Sequence, residues 1–212
     1  MNKISVKITG SGPVLEGYLE LPDLPPPLPA VLLCHPHPLY GGNMSNNVVM
    51  SVGSKLNEDG FAVLRFNFRG VGRSEGFFDD GVGEVEDARA ALAFLSEREE
   101  IDPGRLGILG YSYGGKIGFS MGVREERAKV LAGVSPIHVP GVLMGCSKPK
   151  LIICGTDDDV IDLPSIIQEV EQAGGPETLN LEMKIIDGAD HFWWGDEKQL
   201  GELAAGFFAR FL

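Results

Sequence analysis

A serine between glycines is the residue of this sequence best suited to nucleophilic chemistry. The stretch Gly110-Tyr111-Ser112-Tyr113-Gly114 fits the pattern Gly-x-Ser-x-Gly, with an apolar run before it and a helix-compatible segment after it. In a tight strand-to-helix turn the serine takes a strained backbone conformation, and a Cβ atom two residues away on either side would clash. The pattern therefore predicts that Ser112 is an activated nucleophile at the start of a helix.

A serine hydroxyl needs a base, and the base needs a carboxylate to orient it. One later loop contains three consecutive aspartates, Asp157, Asp158 and Asp159, of which at most one can have this role. The others would be solvated or would cap a helix. His191, one of four histidines, lies just beyond the last apolar run. The chain order therefore predicts a triad of Ser112, one of the three aspartates and the base His191.

Attack on a carbonyl creates an oxyanion, which needs backbone N–H donors. One donor is expected from Tyr113, the residue after the serine, and the other from the loop of residues 35–42. Because Pro36 and Pro38 have no N–H, His37 is the predicted donor and Leu39 the reserve. The two histidines of this loop could instead suggest a metal site, but the third ligand is missing and no metal is predicted.

The loops that carry these residues follow short apolar runs, which are separated by segments with the periodicity of helices. The runs are Ala30–Cys34, Ala62–Phe66, Arg105–Leu109, Val130–Val134, Leu151–Cys154 and Leu181–Ile186. Continuous runs of this kind are typical of parallel strands that are covered on both faces. Between and after them, apolar residues recur at three- and four-residue spacing, as in Val85–Leu95 and Leu200–Phe211.

The N-terminal segments Lys3–Thr9 and Val14–Leu21 instead alternate apolar and polar residues, as half-exposed antiparallel strands do. The combined pattern predicts an α/β fold with a doubly wound, mostly parallel sheet, an antiparallel N-terminal strand pair and helices on both faces. Ligands of such sheets bind at the carboxyl ends of the strands, which is where the candidate residues lie.

Length and charge limit the classes of protein that fit. The 212 residues suit a single domain spanning 1–212. A net charge of −12 and the absence of a basic cluster argue against nucleic acid and anionic membranes as partners, and a small-molecule substrate is expected. The N-terminus has no apolar leader, so a cytoplasmic location is the expectation, while the oligomeric state is open. Cys34, Cys146 and Cys154 lack metal-ligand spacing and are expected to be reduced.

A second glycine-rich loop, Asn67 to Gly76, does not fit either of the common phosphate-binding glycine motifs. We interpret it as a turn that borders the site.

Four stretches together resemble the α/β-hydrolase superfamily, and closely its small dienelactone-hydrolase-like serine hydrolases and carboxylesterases. They are CHPHPLYGG at 34–42, NFRGVGRSEG at 67–76, GYSYGG at 110–115, and GTDDDVI with GADHF near the C-terminus. The resemblance implies a Ser–His–Asp triad that acts through an acyl-enzyme without a cofactor. Its usual Gly-x-x-Asp spacing, counted from Gly155, assigns the carboxylate to Asp158. Two departures are the serine where dienelactone hydrolases proper carry cysteine, and HPHP in place of the commoner His-Gly pair.

In α/β hydrolases a lid is commonly inserted after the strand that follows the nucleophile helix, here Val130–Val134. Only Ser135 to Pro149 separate this strand from the next, which is too short for a cap domain. The site should therefore be open and bordered by apolar side chains from several loops. The candidates are Tyr40, Met44, Phe77, Phe78, Ile137, Val139, Leu143, Met144, Val160, Phe192 and Trp193.

The residues favour a carboxylic-ester hydrolase for short acyl chains. A thioesterase or a peptidase would use the same triad, and the fold alone does not separate these activities. A binding protein that has lost catalysis is the alternative from another class, but such proteins typically lack a triad member, and here all three are present.

Overall fold

The computed structural model describes residues 2–212, whose strands form one eight-stranded sheet. The strands are β1 (Asn2–Ile8), β2 (Leu15–Leu21), β3 (Leu28–Cys34), β4 (Ala62–Phe66), β5 (Ile101–Tyr111), β6 (Ala128–Val134), β7 (Lys150–Gly155) and β8 (Leu181–Ile186). Their order in the sheet is β1-β2-β4-β3-β5-β6-β7-β8. β2 is antiparallel to both β1 and β4, and the remaining neighbours are parallel. The predicted fold class is confirmed.

Five helices cover the sheet within residues 2–212. They are α1 (Asn47–Glu58), α2 (Val82–Ser96), α3 (Tyr113–Gly122), α4 (Leu163–Gln172) and α5 (Glu197–Phe211), with a turn of 3-10 helix at Pro38–Tyr40. Helices α1 and α5 supply one hydrophobic core, and α2, α3 and α4 supply the other.

The side chains of β3 show how the sheet separates these two cores. Val31 and Leu33 belong to the core with α1 and α5, whereas Leu32 and Cys34 belong to the opposite core. Successive residues of a strand point to opposite faces, so a strand buried on both sides must be apolar throughout. The continuous apolar run in the sequence follows from this double burial.

The carboxyl ends of the parallel strands lie along one edge of the sheet, and β5 occupies a central place in it. Residues 135–149, between β6 and β7, form only bends, turns and irregular chain. No helix in the described part of the chain is long and apolar enough to cross a membrane.

Candidate active site

Ser112 joins the end of β5 directly to the start of α3. Its backbone has φ 55° and ψ −116°, a conformation that non-glycine residues rarely adopt. Besides the first bonds of α3, two hydrogen bonds from outside the helix hold it there: the Ser112 N–H donates to the carbonyl of Val134 at 2.9 Å, and the Ile137 N–H donates to the Ser112 carbonyl at 3.1 Å. The strain is thus maintained by both the sheet and the loop that follows β6.

The glycines around Ser112 are required by close backbone approaches. A Cβ atom on Gly110 would lie 2.0 Å from the carbonyl oxygen of Gly114, and one on Gly114 would lie 2.2 Å from that of Cys34. Gly115 faces the loop after β6, because its Cβ would lie 2.7 Å from the Cβ of Pro136. The tight turn predicted from the Gly-x-Ser-x-Gly pattern is therefore present.

Ser112, His191 and Asp158 are brought into hydrogen-bonding contact. His191 Nε2 lies 3.1 Å from Ser112 Oγ, and its Nδ1 lies 2.9 and 3.0 Å from the two carboxylate oxygens of Asp158. Asp157 and Asp159 are exposed, and the carboxylate of Asp157 accepts a bond from the neighbouring Thr156 hydroxyl. Among the three aspartates, Asp158 is the one that contacts the histidine.

The Asp158 side chain is completely buried, and its surroundings favour the carboxylate form. One of its oxygens accepts the backbone N–H groups of Val160 at 3.0 Å and Ile161 at 3.2 Å. Burial works against ionisation, but the contact with His191 and the backbone N–H of Val160 help to outweigh it, so the pKa of Asp158 is held below its ordinary value. The aspartate is therefore suited to orient an imidazole whose Nδ1 carries a proton.

In the loop after β3, the backbone N–H of His37 is more available to an oxyanion than that of Leu39. The Leu39 N–H already donates to Nδ1 of His37 at 3.2 Å. The N–H groups of His37 and Tyr113 make no hydrogen bond to another residue of the range 2–212. The rings of these two residues lie 4.6 Å apart, so the loop is packed against the start of α3.

His35 is buried and is used within the fold. Its Nδ1 lies 2.6 Å from the Pro36 carbonyl and must donate to it, while Nε2 accepts the Phe68 N–H at 3.0 Å. Burial lowers the pKa of His35 to about 4, so the ring is neutral near pH 7. Both ring nitrogens are thereby occupied, and His35 ties the β3 loop to the loop after β4.

The apolar residues predicted to border the site fall into an exposed group and a buried group. Tyr40 and Phe77 are each 88% exposed, and Met144, Val160 and Phe192 are also exposed. Phe78, Ile137 and Val139 are partly buried, whereas Met44, Leu143 and Trp193 are buried.

Several of these side chains lie next to His37 and His191. The centre of the His37 ring lies 4.8 Å from that of Tyr40 and 5.1 Å from that of Phe78, and the centre of the Phe192 ring lies 5.6 Å from that of His191. Met144 instead lines a cleft near the end of α3.

Two hydrogen bonds that hold the site together were not predicted from the sequence. The Tyr111 hydroxyl donates to the backbone carbonyl of His191, and the buried Trp193 indole donates to the hydroxyl of Ser135. Local spacing carries no signal for these contacts, because they join loops that are distant in the sequence.

The sheet order, the strained serine turn and the contacts among Ser112, His191 and Asp158 are features of an α/β serine hydrolase. More particularly, the chain belongs to the X-Pro dipeptidyl-peptidase family (S15 family), whose sequence pattern matches residues 13–139. It is also 39% identical over 175 residues to the uncharacterized protein RP471 of Rickettsia prowazekii, covering 79% of this chain and 73% of RP471.

Solved structures of similar proteins agree with this class. An α/β serine hydrolase homologue from Coxiella burnetii is 32% identical, with a TM-score of 0.83 and 97% of each chain covered. XC6422 from Xanthomonas campestris, an α/β serine hydrolase without a lid, is 25% identical, with a TM-score of 0.85 and coverage of 98% of this chain and 94% of XC6422. The prediction of a small α/β hydrolase without a cap is thus confirmed, while the dienelactone-hydrolase-like subgroup stays a prediction.

Proposed function

We propose that the protein is a carboxylesterase that cleaves short-chain acyl esters through an acyl-enzyme intermediate. The observation that carries the proposal is the continuous contact from the Asp158 carboxylate through both nitrogens of His191 to Ser112 Oγ. This arrangement lets one imidazole remove a proton from the serine and return it to a leaving group.

In the proposed reaction His191 Nε2 takes the proton of Ser112 as Oγ attacks the ester carbonyl. The oxyanion is held by the N–H groups of Tyr113 and His37, and the imidazolium is stabilised by Asp158. Collapse of the tetrahedral intermediate breaks the bond to the alcohol, which takes the proton from Nε2. Water, deprotonated by the same nitrogen, then attacks the acyl-enzyme and releases the acid with Ser112 restored. No step requires a cofactor.

The family match supports a second candidate, hydrolysis of peptides after an X-Pro pair, since the matching family is that of the X-Pro dipeptidyl-peptidases. The same residues would act, but the leaving group would be an amine. A thioesterase would differ only in a thiol leaving group. A substrate panel separates the three: short p-nitrophenyl esters, acyl thioesters and X-Pro p-nitroanilides, each assayed at equal concentration. We expect kcat/KM to be highest for the esters.

Reaction with a fluorophosphonate probe tests whether the serine is activated, independently of substrate choice. The protein should be labelled at Ser112, and Ser112→Ala should be neither labelled nor active. The variant should stay folded, because a single hydroxyl is removed from the turn. Turnover that persists in Ser112→Ala would rule out the proposed mechanism, and a preference for the X-Pro substrate would favour the peptidase.

A further inference from the structure

Exposed aromatic side chains are concentrated at the edge of the sheet where the candidate triad lies. Five aromatic side chains are exposed among residues 2–212. Four of them lie in loops that leave the carboxyl ends of strands: Tyr40 after β3, Phe77 after β4, and Phe192 and Trp194 after β8. The fifth, Phe211, ends α5. Because apolar side chains that are grouped at a surface mark interaction sites, the grouping indicates that an apolar ligand binds beside the triad.

Phe192 is the member of this group that contacts the candidate base. The centre of its ring lies 5.6 Å from that of His191, and the two planes meet at 87°, an edge-to-face contact. The buried Tyr111 ring lies 5.5 Å from the same imidazole. Nε2 of His191 lies 3.1 Å from Ser112 Oγ. The exposed Phe192 ring therefore borders the group that would transfer the proton.

The backbone of Phe192 is fixed on both sides, so its exposure does not come from a loose loop. Its N–H donates to the Asp190 carboxylate at 2.9 Å, and its carbonyl accepts a bond from the Asn47 side-chain amide at 3.0 Å. The next residue, Trp193, is 1% exposed, and its indole donates to the Ser135 hydroxyl. A ring that a rigid loop holds at the surface loses little further freedom when a ligand packs on it.

The chemistry of acyl transfer decides which part of an ester would meet this ring. In the tetrahedral intermediate the anionic oxygen faces the N–H donors, which are predicted to be those of Tyr113 and His37. The leaving oxygen must come within hydrogen-bond reach of Nε2 of His191 to take its proton. The alcohol part of the ester therefore lies on the side of the imidazole, where Phe192 is the exposed aromatic ring.

We propose that Phe192 determines specificity for the alcohol part of the substrate, and that the preferred alcohol carries a flat aromatic ring. This inference rests on the proposed esterase function and names the leaving group within it. Two aromatic rings attract each other in offset or edge-to-face arrangements at centre distances of about 4.5–7 Å, whereas a saturated ring of similar size has no π face. The ester bond breaks as in the proposed reaction, and the aromatic alcohol leaves with the proton from Nε2 of His191.

Benzyl acetate and cyclohexylmethyl acetate test the preference. They share the acyl group, and both alcohols are primary and similar in size, so the esters differ mainly in whether the ring is flat and aromatic. We expect kcat/KM of the wild type to be about two- to tenfold higher for benzyl acetate, after division by the ratio of the uncatalysed rates. The ratio should fall to about one in Phe192→Leu, which keeps an apolar side chain without a π face. Phe192→Tyr keeps the ring and should keep the preference.

Phe211→Leu is the matched control. Phe211 is 42% exposed, compared with 54% for Phe192, so the same change is made at a similarly accessible ring. It lies at the C-terminal end of α5, a helix of 15 residues that begins after the loop of His191. Such a helix is about 22 Å long, which places Phe211 away from an ester bound at Ser112. The ratio for this variant should equal that of the wild type.

A wild-type ratio near one, or an unchanged ratio in Phe192→Leu, would overturn the proposal. An equal fall in Phe211→Leu would also overturn it, because the preference would then not depend on the ring beside His191. Ser112→Ala is assayed with both esters. Turnover in that variant, or a wild type that hydrolyses neither ester, would count against the proposed function itself. An inactive Ser112→Ala together with equal ratios in the wild type and Phe192→Leu would count against the role of Phe192 alone.

Discussion

The hydroxyl of Tyr111 donates to the backbone carbonyl of His191 at 2.8 Å, so the residue before the candidate nucleophile holds the loop of the candidate base. The tyrosine on the other side, Tyr113, donates its hydroxyl to the buried Glu84 carboxylate of α2 at 3.2 Å. The two tyrosines that flank Ser112 are therefore fixed by their side chains to two different elements, the loop after β8 and helix α2. The turn positions the base as well as the serine.

Tyr111→Phe should lower kcat while leaving the ring in place. The lost hydroxyl leaves the His191 carbonyl without its partner in a buried position, which costs about 1–3 kcal/mol of stability. We expect kcat to fall more than KM rises. The loop that carries His191 is loosened, whereas the side chains that border the substrate are unchanged. Urea unfolding and ester kinetics measure the two effects. Tyr113→Phe is the control: it should lose stability without a comparable loss of kcat, and equal kcat values for the two variants would contradict the assignment.

Asp158→Asn should cost far more activity than the same change at Asp157 or Asp159. The asparagine oxygen would stay with the N–H groups of Val160 and Ile161, so the amide NH2 would face Nδ1 of His191 and favour the wrong tautomer. An equivalent change in a serine protease lowers kcat about 10⁴-fold. The exposed neighbours make no contact with His191. Ester kinetics on the three variants provide the comparison, and a crippled Asp157→Asn beside an active Asp158→Asn would show that the carboxylate is wrongly assigned.

His37→Pro should remove an oxyanion donor without straining the backbone. His37 has φ −56°, close to the value of about −65° that proline requires. The loss of its N–H should raise the barrier by roughly 2–4 kcal/mol. His37→Ala keeps the N–H and should have a mild effect, so the ratio of kcat between the two variants is the measurement. A severe loss in His37→Ala would instead indicate a role for the imidazole.

The sequence was sufficient for those parts of the site that depend on local geometry. Gly110 is required by a contact within the turn itself, with the Gly114 carbonyl, and β4 and β8 have the bounds that their apolar runs predict. The chain order left the three aspartates open, and only the resemblance to α/β hydrolases, with its Gly-x-x-Asp spacing from Gly155, assigned the contact with His191 to Asp158.

Trp193 shows where such reasoning fails. An apolar residue beside the candidate base was expected to border the substrate, but its side chain is buried and bonds Ser135. The direction of that side chain depends on a positive φ and on how the loops after β6 and β8 cross. Neither is set by residues near it in the chain. Tyr111 is similar, since its partner lies 80 residues away.

His35 should make the stability of the fold depend on pH. The pKa of this buried ring is lowered from 6.5 to about 4, so the unfolded chain binds a proton in a range where the folded protein does not. The stabilisation is complete above pH 6.5 and is lost as the pH falls toward 4, amounting to about 3 kcal/mol.

Urea unfolding of the wild type and His35→Gln between pH 7 and pH 4 checks this dependence. Glutamine cannot titrate, so the difference in unfolding free energy between the two proteins should change across the window, with the wild type losing more. A constant difference would show that His35 does not carry the effect.

The size of the acyl group should be limited by the open site. No helix or strand occurs in residues 135–149, and the aromatic side chains of Tyr40 and Phe77 project into solvent. Each acyl methylene gains about 0.8 kcal/mol by burial, but only until the chain reaches solvent, so kcat/KM should be highest for acyl groups of about two to six carbons. A series of p-nitrophenyl esters measures this directly, and an emulsified triglyceride should be turned over slowly without activation at the lipid surface. A strong preference for acyl chains beyond about ten carbons would contradict the open site. It would require a deep channel in which each further methylene is still buried and still adds binding free energy.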